Sequence, residues 1–504
     1  MKYKMKSEVL NRLLDLLLSC GRPRVLGRNA AVALAAIVLS LSPSSILKAE
    51  ESGPRWQTRA IEPNTDVHSV SMREPEYLKW IDDARWPTTE LRRISDHAAF
   101  QQPDNGQVPN TAPPWSNYGP LYPTVQHWNC DDSLMIVRTV PIDKTGATLP
   151  TFKYTSLHLL DGRTHAYLGP CESGGRGVPA HFRWSNSDPD ELLFIDQDTS
   201  ILSKWKPSTK AFSIVKDFSP AYDRISYHWS GGVGDASADG RYFALSLRKP
   251  GGQWVVCCWD RQTDSILCEI PVPMEPGTGE IGYVSMSHSG TYLLIGANSQ
   301  QWSEGGRERA PGVSVYTRDG KWERTFSYRG SGVNILGHYH VAKGSNGEDR
   351  WVFLYQDAPD LTRRWIKSIR LDGTEPFPGR DECVPGLICG LEYLTPANFA
   401  SKGWVIVSDY PWQTDNTAYN RFPMRNMIWA LKLDGSKAVY PIAESRFSLV
   451  DWEKGDYYHW IPWATANRGM TQILFKSAMN TNWSPTRGGN SAVMHAYIAR
   501  AKAQ

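Results

Sequence analysis

A turn followed by a short apolar, β-rich run recurs seven times along this chain, and no other feature constrains its fold as strongly. A run such as Tyr242–Leu247 follows each turn within a few residues. The turns lie about 50 to 60 residues apart in most cases and begin at Asp131, Asp188, Ala238, His288, Asn346, Ala400 and Asn467. A second turn, ending in Asp-Gly, recurs at Asp161–Gly162, Asp319–Gly320, Asp372–Gly373 and Asp434–Gly435. Two turns in each unit divide it into four strands.

The repeat predicts an all-β protein, because helical periodicity is absent between the turns. We expect residues 121–504 to form a single seven-bladed β-propeller of four-stranded antiparallel blades. The inner strands should begin near His127, His181, Tyr227, Tyr283, His338, Glu392 and His459. The last unit stops at its third strand, Val493–Ile498, and an open sheet edge leaves backbone groups unpaired. Residues 50–120 are therefore predicted to be an N-terminal extension that contributes the strand closing the ring.

The first 49 residues resemble a secretory signal peptide. Arg22, Arg24 and Arg28 precede the apolar run Ala30–Leu41, and a small residue, Ala49, ends the segment. The run is too short to span a bilayer, so we expect an exported, periplasmic or extracellular protein without stable membrane insertion. Removing residues 1–49 removes eight basic and two acidic residues and lowers the net charge from +3 to −3. A nucleic-acid partner is disfavoured by that charge.

The composition is rich in aromatic residues that have a polar edge, with 21 Trp and 22 Tyr against 14 Phe. Such side chains suit half-wet surfaces, including those that bind planar sugar faces, although all-β folds are rich in aromatics in general. Seven cysteines follow residue 49, and export permits disulfides. The close pairs are Cys383 with Cys389, and Cys257 or Cys258 with Cys268.

Histidine recurs just before the turns, on strands predicted to line the central channel. The five cases, in blades one, two, three, five and seven, are His127, His181, His228, His340 and His459. Together with Trp229 and Trp460, the residues His127, His181 and His459 are candidates for substrate binding. The alternative is a set of structural histidines that hydrogen-bond to neighbouring blades.

His338 and His340 form the strongest candidate for a metal site. They are two residues apart on a predicted strand, so both imidazoles point to the same face. Two imidazoles on one face supply half of the ligands of a transition-metal site, and His288 in the preceding blade is a candidate third ligand. The cofactor would be a divalent transition metal such as Mn or Zn.

Two of the turns, Arg183–Asn186 and Ser237–Arg241, resemble the repeat of TolB-type propellers. This resemblance covers most of residues 120–504. It implies the propeller fold but no activity, because propellers include both enzymes and binding proteins.

The channel histidines and the His-x-His strand are also similar to the oligogalacturonate lyases and, more distantly, to the propeller lyases acting on ulvan. That resemblance implies β-elimination in an acidic, uronate-containing polysaccharide or oligosaccharide. His338 and His340 match the metal-binding pair of those families. His228, with Tyr227 beside it, matches the base, and Arg248 matches the arginine that binds the substrate carboxylate.

Other catalytic patterns are missing from the sequence. It has no Gly-x-Ser-x-Gly elbow, no sialidase-type Asp box, and neither a P-loop nor a dinucleotide fingerprint, so no nucleotide cofactor is expected. Two function classes remain. The first is a secreted polysaccharide lyase; the second is a non-catalytic periplasmic TolB-like propeller that binds a protein or a glycan.

Overall fold

The computed structural model describes the residues of the predicted propeller and part of the extension before it. These are residues 75–96 (without 85 and 87), 116–120, 125–141, 156–179, 181–196, 199–226, 236–273, 281–297, 302–304, 307–309, 312–327, 333–334, 340–357, 364–375, 391–395, 401–410, 427–445 (without 435 and 437), 463–477 and 495–502. All of them belong to one compact unit, Gly53–Gln504.

The described residues contain strands and no helix, and the strands form seven sheets that are the blades of a β-propeller and two small hairpins. Two strands precede the first blade: β1 (Trp80–Asp82) and β2 (Thr89–Arg93). Blade 1 contains β3 (Ser116–Gly119), β4 (Leu134–Pro141), β5 (Ser156–Asp161) and β6 (Tyr167–Pro170). A small hairpin follows, made of β7 (Glu172–Ser173) and β8 (Arg176–Gly177). Blade 2 contains β9 (Phe182–Trp184), β10 (Leu192–Ile195), β11 (Ile201–Lys206) and β12 (Ala211–Asp217).

The next blades repeat the same antiparallel order. Blade 3 contains β13 (Arg224–Ile225), β14 (Tyr242–Arg248), β15 (Trp254–Asp260) and β16 (Ser265–Val272). Blade 4 contains β17 (Ile281–Met286), β18 (Tyr292–Ala297), β21 (Gly312–Thr317) and β22 (Trp322–Ser327), with the hairpin β19 (Trp302–Glu304) and β20 (Arg307–Arg309) between its second and third strands. Blade 5 contains β23 (Val333–Asn334), β24 (His340–Lys343), β25 (Asp349–Asp357) and β26 (Arg364–Arg370).

The last two blades complete the ring. Blade 6 contains β27 (Leu391–Thr395), β28 (Trp404–Tyr410), β29 (Met427–Lys432) and β30 (Val439–Glu444). Blade 7 contains β31 (Thr465–Ala466), β32 (Gln472–Ser477) and β33 (His495–Ala501), and its fourth and fifth strands are β2 and β1, which precede blade 1 in the chain. Leu91 of β2 pairs with Ala499 of β33. The prediction that an N-terminal strand closes the ring is therefore confirmed.

The turns between the first and second strands join every blade to the next, and we call these contacts the turn ring. Each contact is a hydrogen bond of 2.7 to 3.2 Å. In order around the ring the bonds are Asn129 Nδ2 to Pro189 O, Asn186 Nδ2 to Ser237 O, Ala238 N to His288 O, Ser289 N to Asp349 Oδ1, Gly403 N to Lys343 O, Ser401 Oγ to Gly469 O and Asn467 Nδ2 to Asp132 Oδ2. The seven sequence turns are thus the inter-blade joints at one end of the propeller.

Apolar side chains fill the spaces between blades. In blade 4, Leu293 and Ile295 pack in the cluster shared with blade 3, whereas Leu294 packs in the cluster shared with blade 5. Both faces of the strand are therefore covered, because successive side chains point to opposite faces. This explains why the second strands read as continuous apolar runs rather than as alternating patterns.

The inner strands of blades 1, 3 and 5 differ from the prediction, because each begins earlier and has two parts. In blade 5, β23 pairs with residues 356–357 of β25 and β24 pairs with residues 349–352 of the same strand. In blade 3, β13 pairs with the end of β14, and Ser237 closes the turn at the start of β14. Extra residues between the two parts account for the early start. The residues where we expected the inner strands of blades 3 and 7 to begin, Tyr227 and His459, lie outside the described residues.

The disulfide that export would permit in blade 3 is not formed. Cys258 lies opposite Cys268 in the β15–β16 register, and Cys257 points to the other face, yet all three are free thiols. Burial raises the pKa of Cys258 to about 12 and that of Cys268 to about 11. Because the thiolate is the reactive form, a raised pKa lowers the reactivity of both thiols at neutral pH. Cys383 and Cys389 lie outside the described residues.

Candidate functional site

The structure describes five of the residues singled out in the sequence and omits the others. Tyr227, His228, Trp229, His338, His459 and Trp460 all lie outside the described residues. The five that the structure describes lie in different environments: His127, His181, Arg248, His288 and His340.

His127 lies inside the interface between blades 1 and 2. Its ring is fully buried and its Nδ1 lies 3.0 Å from the Val125 carbonyl oxygen, while Trp184 Nε1 donates to the His127 carbonyl oxygen at 3.0 Å. Burial, and then the charge of Arg138, lower the pKa of His127 to about 3. The imidazole is therefore neutral, and its surroundings are those of a residue that packs two blades together. His181, just before β9, is half-buried.

His340 and His288 lie at different distances from the turn ring. His340 is on β24 opposite Val352 and its side chain is buried. His288 lies in the turn ring of blade 4, one residue beyond Ser287, which closes that turn. With a strand rise of about 3.3 Å per residue, His340 is on the order of 10 Å farther from the turn ring than His288.

The charges around His288 do not favour a metal ion. Burial and the nearby cations Lys343 and Arg468 lower the pKa of His288 to about 3. Its imidazole is neutral, as a metal ligand must be, but both neighbours would repel a divalent cation. In the part of the chain that the structure describes, no three His, Cys, Asp or Glu side chains are grouped as a metal site. The role of His288 as a third ligand stays a prediction, because His338 lies outside the described residues.

Arg248 ends the second strand of blade 3, at the end opposite the turn ring. Its Nε donates to Asp223 Oδ1 at 2.6 Å, and its guanidinium lies 5.9 Å from the ring centre of Trp254. Arg224 lies beside it in the register, 6.0 Å from the same ring. An ion pair that is about one-third exposed is weak, so a substrate carboxylate can compete with Asp223 for Arg248.

A cationic cluster that the sequence-based reasoning missed lies between blades 7 and 1. Its members are Arg138 of β4, Lys476 of β32, and Trp463, which precedes β31. The Arg138 guanidinium lies 4.7 Å from the centre of the Trp463 ring, and Lys476 Nζ lies 4.2 Å from it. Trp463 has a φ of +44°, which an aromatic residue rarely adopts. We call these three residues the Arg138 cluster.

Electrostatics sets the Arg138 cluster apart from the surface ion pairs. Desolvation lowers the pKa of Arg138 to about 9. Within the described ranges no carboxylate forms an ion pair with Arg138, whose charge-related contacts are with Trp463 and His127. The sequence carried one usable signal: a basic residue ends the apolar second-strand runs of three blades, at Arg138, Arg248 and Lys476.

The fold defines the class of this protein, a seven-bladed β-propeller with an N-terminal closing strand. It is similar to an oligogalacturonate lyase solved in complex with manganese, with 11% identity, a TM-score of 0.53, and 84% of this chain and 96% of that one covered. It also matches TolB from Acinetobacter baumannii (12% identity, TM-score 0.32, 57% and 59% covered) and an acylaminoacyl peptidase from Pyrococcus horikoshii (9% identity, TM-score 0.41, 78% and 53% covered). No protein-family model and no curated protein sequence matches the chain. Among the described residues no helix is long and apolar enough to cross a membrane.

Proposed function

We propose that this protein is an exported lyase that cleaves an acidic, uronate-containing saccharide by β-elimination. The observation that carries the proposal is the division of the inner strands of blades 3 and 5. In blade 5 the strand is paired on both sides of the break, whereas in blade 3 β13 pairs with β14 before the break and Ser237 N donates to Tyr242 O after it. The residues between include His228 in blade 3 and His338 in blade 5. Irregular strands of this kind are common next to active sites, where they redirect side chains.

The chemistry requires a base, a cation and an acid. His228 takes the proton from the carbon beside the substrate carboxylate, and the electron pair of that bond forms a carbon–carbon double bond. The glycosidic carbon–oxygen bond breaks, and Tyr227 gives a proton to the leaving oxygen. Arg248 binds the carboxylate and stabilises the negative charge that develops on it. The unperturbed pKa of histidine suits a base at neutral pH.

In this proposal the residues that would hold a divalent metal are His338 and His340. The similar oligogalacturonate lyase was solved with manganese, and two imidazoles on one strand face are suitable ligands. When bound, the metal would supply a second positive charge to the substrate carboxylate. Export, with residues 1–49 as the signal peptide, would place the protein where it meets such polysaccharides.

The test is incubation of the purified protein with a panel of uronate polysaccharides while the ultraviolet absorbance of the unsaturated product is recorded. A neutral polysaccharide is the control, because it lacks the carboxylate that makes the proton acidic. His228→Ala should abolish turnover without lowering the melting temperature, and His340→Ala should also lower the metal content. Binding of a uronate saccharide without any unsaturated product would instead support the non-catalytic binding protein.

A further inference from the structure

We propose that the strands closing the ring form a strap that acid releases, because two buried histidines fasten it to the propeller. The strap consists of β1, β2 and residues 94–96, and it covers the edge of β33. Arg92 and Arg93 are neighbours on β2 and point to opposite faces of the sheet. Each of them contacts a ring nitrogen of a different histidine. The strap is separate from the residues proposed for catalysis.

Arg92 fastens the strap to blade 1. Its Nη1 lies 3.2 Å from His165 Nδ1 and donates to the Thr164 carbonyl oxygen at 2.9 Å. Thr164 and His165 belong to the turn between β5 and β6. His165 Nε2 lies 2.7 Å from Gln472 Oε1 of blade 7. A guanidinium can only donate, so Nδ1 of His165 carries no proton in this contact, and Nε2–H donates to Gln472.

Arg93 fastens the opposite face of the strap to blade 7. Its Nη1 lies 3.5 Å from Nε2 of His495, the first residue of β33. His495 Nδ1 lies 3.1 Å from Ser95 Oγ, which also accepts from the backbone N–H of Ala496 at 2.9 Å. Because Arg93 can only donate, His495 accepts with Nε2 and donates with Nδ1–H. Both histidines therefore hold the strap in their neutral form.

The surroundings of His165 oppose a proton on its ring. The imidazole is fully buried, and the ring centre of Trp80 of β1 lies 6.0 Å from it. Burial is the largest cause that lowers the pKa of His165 to about 4. Arg92 of β2 and Arg500 of β33 act in the same direction, whereas Asp161 of the same turn acts in the opposite one. A proton on Nδ1 would remove the acceptor of Arg92 and place two cations in contact.

His495 has similar surroundings. Burial, and then the charge of Arg93, lower its pKa to about 4, while Asp96 acts in the opposite direction. Asp96 lies 3.5 Å from Arg93 Nη2 and is itself part of the strap. When the strap detaches, both histidines lose these contacts, and their pKa values return toward the ordinary value of about 6.5. The open form therefore binds more protons than the closed form below that pH, so acid favours opening.

Release would open the ring where its two ends meet. The edge of β33 would lose its pairing with β2, and Leu91 would leave the apolar cluster that it shares with blades 6 and 7. An open sheet edge can pair with another strand. At neutral pH the strap keeps this edge covered, whereas acid would make it available.

The experiment measures opening by hydrogen exchange of the β2 amides, corrected for the intrinsic effect of pH on exchange. It is carried out at about pH 7.5 and about pH 5.5, with β14 and β15 as the reference for global unfolding. His165→Asn and His495→Asn, singly and together, remove the titrating rings but keep a donor and an acceptor. Asparagine also tolerates the φ of +62° at position 165.

His158→Asn is the matched control. Burial lowers the pKa of His158 to about 4 as well, but its Nε2 lies 2.7 Å from Thr139 Oγ1 of the same blade. This variant removes a buried, titrating histidine that lies inside blade 1, so the pH dependence of β2 exchange should not change.

We expect the opening equilibrium of β2 to rise by roughly a hundred-fold from about pH 7.5 to about pH 5.5, with about ten-fold from each histidine. Each single variant should keep a rise of about ten-fold, and the double variant almost none. Each ratio compares one protein at two pH values, so a variant that is less stable at both still gives a valid result. The proposal is overturned if acid increases exchange in β2 no more than in blade 3, or if the double variant keeps the full rise.

Discussion

Arg468 of blade 7 donates a hydrogen bond from Nη2 to Asn186 Oδ1 of blade 2, 2.7 Å away, and so passes across blade 1. Its backbone N–H also donates to Asp132 Oδ1 of blade 1 at 3.3 Å. One residue of the last blade thereby holds the first two blades. This contact adds a second connection to the turn ring at the point where the two ends of the propeller meet.

Removing this bridge should lower the free energy of unfolding. We expect Arg468→Met to cost about 1.5 to 3 kcal/mol, because a partly buried hydrogen bond from a charged donor is lost. Urea unfolding measures the change. The control is Arg241→Met, which removes a partly exposed ion pair with Asp260 inside blade 3 and should lower stability clearly less, because solvent screens such a pair. Equal losses in the two variants would mean that the bridge adds nothing.

Gly290 tests how closely the blades approach each other in the turn ring. It has a φ of +72°, and a Cβ at this position would lie 2.5 Å from Tyr242 Cδ2 of blade 3. Gly251 has a φ of +95° and no atom within 4 Å of the corresponding Cβ. Both Gly→Ala changes strain the backbone by about 1 kcal/mol or more. Gly290→Ala should lower the melting temperature clearly more than Gly251→Ala, and the difference measures the clash between blades.

The closing strand should be necessary for a stable ring. A protein that begins at residue 75 keeps β1 and β2, whereas one that begins at residue 97 leaves the edge of β33 unpaired and exposes the cluster around Leu91. We expect the shorter protein to aggregate or to melt without cooperativity, because an open edge invites pairing between molecules. Light scattering and calorimetry compare the two proteins. A cooperative, unchanged transition of the shorter one would show that β2 is dispensable.

Stability should fall as the pH is lowered below about 6.5, the pKa of an unfolded histidine. Burial is the main cause that lowers the folded-state pKa to about 3 or 4 for His127, His158, His165, His288 and His495. The unfolded chain therefore binds more protons than the folded one between pH values of about 4 and 6.5. Each such histidine should lower the free energy of unfolding by about 1.4 kcal/mol when the pH is lowered from about 7.5 to about 5.5.

The variant His127→Asn tests whether His127 contributes to this loss of stability at low pH. It is suitable because an asparagine amide does not titrate and can still donate to the Val125 carbonyl oxygen. Urea unfolding at both pH values should show a fall in stability that is smaller by about 1.4 kcal/mol than in the unmodified protein. Carboxyl groups contribute little here, because their pKa values lie below this window. An identical fall in both proteins would contradict the assignment of the loss to His127.

The sequence alone was enough to predict the blades, and the reason is that each blade is a local structure. The turn that includes Gly290 and the run that begins at Tyr292 are neighbours in the chain, so their strand pairing is visible as a repeated pattern. The pattern of the last unit contained only three strands, and this predicted that a strand from elsewhere in the chain pairs with β33, as β2 does. The divided inner strands were not visible in the sequence, because a bulge depends on how a strand pairs with the strand opposite it.

The site was less predictable, because its residues are distant in the chain. Asn467 meets Asp132 across 335 residues, and Arg138 and Lys476 contact the same tryptophan only because the ring closes. In the sequence each is a single basic or polar residue at the edge of an apolar run, with nothing to indicate its partner. The chain thus determined its strands and turns by local pattern, whereas which charges share one buried space was decided by the closure of seven blades into a ring.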